Sequence, residues 1–195
     1  MKALLMVDPQ NDFCPGGSLP VKNGDEVMEP LNLMMEHAKK NKWILVASRD
    51  WHPKKTNHFK IYGGVWPVHC VKNTNGAKFH PALKVTKDVM VFSKGTLKDQ
   101  DAYSAFDGHS DPGEALADYL RSYGVDEVYV GGLATDYCVK ASVLSAIKSG
   151  FKVYLLLDAC RAVDLKRGDG KRAIEEMKKA GAIVTTTKKV LHGKG

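Results

Sequence analysis

Six short runs of apolar and β-branched residues recur along this chain of 195 residues, at Lys2 to Val7, Trp43 to Ser48, Val89 to Ser93, Glu127 to Gly131, Lys152 to Leu157 and Ala182 to Thr186. They constrain the fold more than any other feature, because helical patterns separate them. Between the first two runs, Val27, Leu31, Met34, Met35 and Ala38 recur at the spacing of one helix face, with Pro30 expected near the first turn, where its missing N–H is tolerated. Glu114 to Tyr123, Thr135 to Lys148 and Gly170 to Ala180 read as three further helices, each followed by a glycine stop at Gly124, Gly150 and Gly181. Strands that are apolar throughout, rather than alternating, are buried on both faces. The pattern therefore predicts an α/β fold of three layers, α/β/α, around a six-stranded, mostly parallel sheet. With no linker and no internal repeat, residues 1–195 are expected to form a single domain.

A composition of 44% hydrophobic and 26% charged residues excludes a disordered or collagen-like chain. No apolar stretch approaches the ~18 to 20 residues a membrane span needs, and the first run is too short for a signal peptide and ends at Asp8. The expectation is a cytoplasmic protein with no membrane association. The net charge of +7 raises the question of nucleic acid, since Lys and Arg gather toward the C-terminus. Asp164, Asp169, Glu175 and Glu176 interrupt them, which reads as solvated helix faces, so no nucleic-acid partner is expected. Cys14, Cys70, Cys138 and Cys160 form no C-x-x-C pair, against both a disulfide framework and a four-cysteine zinc module.

In open α/β sheets ligands bind beyond the carboxyl ends of the strands, and here those ends carry reactive groups. Asp8 follows the first run, Asp50 and His52 the second, Lys94 the third and Cys138 the fourth. Cys138 lies where a glycine-rich turn becomes a helix, a place where free N–H groups favour a thiolate or an oxyanion, although a cysteine there can also be a small buried hydrophobe. Singly, Asp8 could cap a turn and Lys94 could be a surface cation. Together, an acid, an amine and a thiol at three strand ends supply proton acceptor, electrostatic activator and nucleophile. A second constellation is Asp50-x-His52 with His69, and His58 between them, which suits a catalytic metal with open positions. His37, His80, His109 and His192 read as structural, and Cys14, Cys70 and Cys160 as buried hydrophobes. The stretch Asp50 to Lys87 lacks periodicity, and a loop of that length is usually functional. No glycine-rich phosphate-binding pattern follows any strand.

Five motifs run along the chain in order: Val7-Asp8-Pro9-Gln10-Asn11-Asp12-Phe13 with Pro15-Gly16-Gly17-Ser18-Leu19, Arg49-Asp50-Trp51-His52-Pro53, Trp66-Pro67-Val68-His69-Cys70, Phe92-Ser93-Lys94-Gly95 with Tyr103-Ser104-Ala105-Phe106, and Gly132-Leu133-Ala134-Thr135-Asp136-Tyr137-Cys138-Val139. In these motifs the chain resembles the nicotinamidase/pyrazinamidase family of isochorismatase-like cysteine hydrolases. The resemblance implies a catalytic triad of Asp8, Lys94 and Cys138 and an oxyanion hole from the backbone N–H groups of Ala134 and Cys138, beside a cis peptide at Leu133-Ala134. It implies one divalent metal ion per chain, zinc ahead of iron or manganese, on Asp50, His52 and His69 with His58 as an optional contact. Phe13, Leu19, Trp66, Tyr103, Ala134 and Tyr137 would surround the substrate, nicotinamide, which would be converted to nicotinate and ammonia in NAD salvage, with pyrazinamide as an analogue. Self-association is left open. The rival readings are a sister amidohydrolase acting on another small amide, and a basic metal- or nucleic-acid-binding domain whose thiol is incidental.

Overall fold

The structure, a computed structural model, describes residues 1–100 and 102–193. Its strands are β1 (Lys2–Val7), β2 (Ile44–Asp50), β3 (Met90–Lys94), β4 (Glu127–Leu133), β5 (Lys152–Arg161) and β6 (Ile183–Thr185). The α-helices among the described residues are α1 (Met28–Lys40), α2 (Leu116–Ser122), α3 (Lys140–Lys148), α4 (Asp169–Ala180) and α5 (Thr187–Leu191). The strands form one sheet in the order β3-β2-β1-β4-β5-β6, and every pairing is parallel.

The absence of alternation in the strand sequences has its reason in β1. Successive side chains leave a strand on opposite faces. Leu4 and Met6 pack with Leu31, Met34 and Ala38 of α1, while Ala3, Leu5 and Val7 pack with Leu120 of α2, Val143 of α3 and Met177 of α4. Both faces need apolar residues because both are covered. The apolar stripe of α1 is buried as its spacing predicts, through Met28, Leu31, Met34, Met35 and Ala38, and Pro30 is its third residue. Burying each large member of such a stripe contributes about 1.5 to 3 kcal/mol. No helix of the described residues is long and apolar enough to cross a membrane.

Element ends depart from the sequence reading in ways that matter. Both β2 and β3 run beyond the expected ends, so Asp50 and Lys94 are the last strand residues and are held by the ladder, in register with each other. β5 continues to Arg161 across an irregularity opposite Val130 to Gly132, which places Cys160 in the strand rather than after it. The expected helix from Thr135 begins as a π-helical turn, Thr135–Val139, before α3, a widened geometry that recurs at functional sites. Helix α5 was not anticipated. Its signal was Thr186, whose hydroxyl accepts the Lys189 N–H at 3.3 Å as an N-cap, but a one-turn lysine-rich helix has too few apolar positions to show a period. Between β2 and β3 the chain is irregular, as expected, and is tied down by isolated bridges from His52 to Val71, Phe59 to Trp66 and Gln10 to Phe79.

The chain winds outward from β1 to β3 on one side and from β4 to β6 on the other, so the topological switch point lies between β1 and β4. Such a crevice is where open α/β sheets bind ligands. Gly132 makes the close approach of these strands possible: its φ is +132°, and a Cβ there would sit 2.1 Å from the Val7 carbonyl oxygen.

Candidate active site

Asp8 leaves β1 at the switch point with φ 46°, in the left-handed region. Lys94 ends β3, and Cys138 lies in the turn after β4. All three are buried, Asp8 and Lys94 almost completely. Lys94 Nζ lies 2.8 Å from Asp8 Oδ2, donates to Asp50 Oδ1 and to the Ala102 carbonyl at 3.1 Å, and reaches Cys138 Sγ at 3.5 Å. The other Asp8 oxygen accepts the Ser48 hydroxyl at 2.7 Å. Carboxylate oxygens of Asp8 and Asp50 and the Cys138 sulfur lie within 4.8 Å of one another, with the Lys94 ammonium as the cation they share.

Burial and charge set the proton affinities. Burial pushes the Asp8 carboxyl up, and Lys94 offsets this only in part. Burial also pushes the Cys138 thiol well above its ordinary value, against the pull of Lys94. Lys94 is carried well above the lysine range despite burial, because Asp50 and Asp8 hold its proton. Asp50 goes the opposite way from Asp8: burial opposes its charge, yet the adjoining Lys94 ammonium holds its carboxyl well below the carboxylate range. The arrangement places a neutral thiol beside a carboxylate with raised proton affinity, the condition for passing a proton between them, with a permanent ammonium to stabilise the resulting thiolate.

Asp50 also faces the histidines. His52 Nδ1 is 3.0 Å from the Gly95 carbonyl and His69 Nδ1 is 2.7 Å from the Pro67 carbonyl. A carbonyl only accepts, so both Nδ1 atoms carry the proton and both Nε2 atoms keep a free lone pair. Those atoms point at Asp50 Oδ2, at 3.5 Å from His52 and 3.7 Å from His69, and His52 Nε2 is buried without a hydrogen-bond partner. Lone pairs facing a carboxylate repel unless a cation lies between them. These gaps are too long for charge-assisted hydrogen bonds and match the roughly 3.4 Å between ligand atoms around a tetrahedral ion with ~2.1 Å bonds. His58 joins the set, since nitrogens of His52, His58 and His69 lie within 4.8 Å of one another. The residues fit a divalent cation. Gly95 makes room for this corner: its φ is +62°, and a Cβ would fall 2.5 Å from the His52 ring.

Cys138, Asp50, His58 and His69 open into one pocket, and all six of the expected substrate neighbours line it: Phe13, Leu19, Trp66, Tyr103, Ala134 and Tyr137. The aromatic walls are fixed by one another. Trp66 Nε1 donates to the Tyr103 hydroxyl at 2.9 Å, and its ring meets Tyr137 edge-on at 5.0 Å, while Phe13 leans on His69 at 5.6 Å. The Leu133-Ala134 peptide is cis.

Several supporting residues were not singled out from the sequence. Gln10 clamps the backbone of Asp50 from both sides, donating to its carbonyl and accepting its N–H, each at 2.8 Å. Asp12 accepts the N–H of Cys70 at 2.7 Å, fixing the residue after His69. Asp136 accepts the N–H groups of Val163 and Asp164, both at 2.9 Å, and so brings Val163 to the pocket wall. Gln10, Asp12 and Asp136 lay inside quoted motifs, but a motif gives no partner for a polar side chain. Ser48 closed the second apolar run but was given no role, and Ala102 gave no sequence signal at all.

The isochorismatase domain family matches residues 2–189. The chain belongs to this family. Nicotinamidases and pyrazinamidases are among the proteins it is similar to. A nicotinamidase of Escherichia coli strain K12 is 40% identical over 201 aligned residues, covering 95% of this chain and 94% of that one. The crystal structure of a pyrazinamidase of Pyrococcus horikoshii in complex with zinc is 45% identical with a TM-score of 0.88, covering 95% of this chain and 98% of that chain. The yeast nicotinamidase bound to the inhibitor nicotinaldehyde is 34% identical with a TM-score of 0.86, covering 95% and 100%.

Proposed function

We propose that this protein is a nicotinamidase, a single-domain cytoplasmic cysteine amidohydrolase that converts nicotinamide and water to nicotinate and ammonia in NAD salvage and accepts pyrazinamide as an analogue. The observation that carries the reading is the meeting of an Asp8, Lys94 and Cys138 cluster with a His52, His58 and His69 cluster through one carboxylate, Asp50, on a pocket walled by aromatic rings.

Asp8 takes the proton of the Cys138 thiol as the sulfur attacks the carboxamide carbon, and Lys94 stabilises the thiolate as it forms. The oxygen of the tetrahedral species is received by the N–H groups of Ala134 and Cys138. Asp8 then gives its proton to the departing nitrogen, the C–N bond breaks and ammonia leaves a thioester on Cys138. Asp8, again a carboxylate, takes a proton from water, whose oxygen attacks the thioester carbon; the C–S bond breaks and the sulfur recovers the proton. Phe13 and Trp66 hold the pyridine ring so that the amide meets the sulfur, which converts binding into orientation. Asp50, His52, His69 and His58 would hold the divalent ion, zinc in the first instance. When bound, it supplies a Lewis acid that can take the ring nitrogen and withdraw electron density.

Ammonia release from nicotinamide and pyrazinamide by protein loaded with zinc, iron or manganese tests the assignment. No release with any of the three metals overturns it.

Metal removal should inactivate without unfolding, because the ligands hang on strand ends and a loop while the two hydrophobic clusters lie on the sheet faces. Chelated protein should keep its circular dichroism, lose most of its turnover and show a raised KM in whatever activity is left. His69→Ala should retain less metal per chain than His58→Ala. Loss of the fold on chelation, or stoichiometric metal in His69→Ala, contradicts a catalytic site of this kind.

A further inference from the structure

A second cleft lies behind the strand ends that carry Asp50 and Lys94. Arg49 and Trp51, which flank Asp50, and Ser93, which precedes Lys94, line it together with Lys72, Thr96, His109, Ser110 and Asp111. None of these residues lines the aromatic pocket. The two sites are separate because neighbouring residues of a strand point to opposite faces.

The cleft is built around a guanidinium that is held in place while its two Nη groups make no hydrogen bond among the described residues. The Arg49 head group stacks on Trp51, 3.8 Å from the ring centre, and its Nε donates to the Ser93 hydroxyl at 2.8 Å. These contacts lock the plane of a half-buried arginine, and its two Nη groups donate to nothing else among the described residues. No ion pair forms with Arg49 or Lys72 among the described residues, although the Asp111 carboxylate lines the same cleft and lies close enough to act on the Arg49 charge. The Ser110 hydroxyl accepts the Glu114 N–H at 3.1 Å and keeps its own proton to give. A planar fork of free N–H donors, held by stacking and backed by a lysine and hydroxyls, is the donor set that a tetrahedral oxyanion requires.

We propose that this cleft binds a phosphate group, carried by a small phosphate monoester or as the free ion. Arg49 grips two oxygens through its Nη atoms, Lys72 supplies the second charge, and Ser110 and Thr96 donate to the remaining oxygens. The bound anion would rest on the backs of the residues that position the active site: the Lys72 N–H bonds the His52 carbonyl at 2.8 Å, and the Trp51 N–H bonds the Lys94 carbonyl at 3.0 Å.

Titration calorimetry of the full-length, metal-loaded protein with inorganic phosphate and separately with AMP tests this. Saturable binding is expected, weakened at least tenfold in both Arg49→Gln and Lys72→Glu and unchanged in Lys171→Glu on α4. Should Arg49→Gln fail to fold, the exposed Lys72→Glu decides alone. AMP bound more tightly than phosphate assigns the site to a monoester, and equal affinity assigns it to the free ion. No saturable binding of either probe, or parent-like binding in Lys72→Glu, overturns the proposal.

Discussion

Cys138→Ala should lower kcat for nicotinamide hydrolysis by on the order of 10⁴-fold or more, the loss expected when the nucleophile of a covalent mechanism is removed. The expectation is sharp because no other thiol can take its place. Cys14 and Cys160 are buried with thiols pushed up to about 12, chiefly by burial, and burial with the nearby Asp50, Asp12 and Asp8 carries Cys70 well above the ordinary value. Cys138 also stands high, but it alone opens into the pocket and has the Lys94 ammonium at 3.5 Å. Alanine variants at the other three positions should keep their chemistry. Mass spectrometry of the acyl-enzyme during turnover identifies the site, and an adduct on any other cysteine would show the assignment to be wrong.

Asp8→Asn should cost about 10³- to 10⁴-fold in kcat, the upper end for a general acid-base group, because Asp8 serves in thiol activation, ammonia departure and water attack. The substitution is a clean probe. Asp8 sits at φ 46°, a conformation that asparagine tolerates better than most residues, so the turn after β1 should survive. What is lost is the proton acceptor and the ion pair to Lys94 at 2.8 Å. Asp8 is not among the residues that line the aromatic pocket, so KM should move far less than kcat. Single-turnover kinetics should show acylation itself slowed. A variant within tenfold of the parent removes Asp8 from the chemistry.

Residue type and order alone determined the architecture and pointed to most of the residues that the fold brings together at the candidate site. Doubly buried strands must be apolar throughout and covering helices must be amphipathic, and these local needs are written directly into the runs from Lys2 to Thr186. Reactive residues at strand ends were legible because parallel sheets collect those ends on one rim. The sequence could not show where each strand stops. Asp50 and Lys94 read as loop residues but close the β2 and β3 ladder, and that backbone pairing, a property of two chain segments, fixes their side chains on a common line. Nor could it show that Asp50 joins the lysine and histidine clusters, since one oxygen meets Lys94 and the other faces His52 and His69. His58 had no settled place until the irregular segment after β2 folded back through the Phe59 to Trp66 bridge. Gln10 bonding Asp50, Asp12 bonding Cys70 and Asp136 bonding Val163 span 40, 58 and 27 residues. Hydrogen bonds at such separations leave no period and no local preference in a sequence; only the packed chain selects the partner, because a buried polar group must find one.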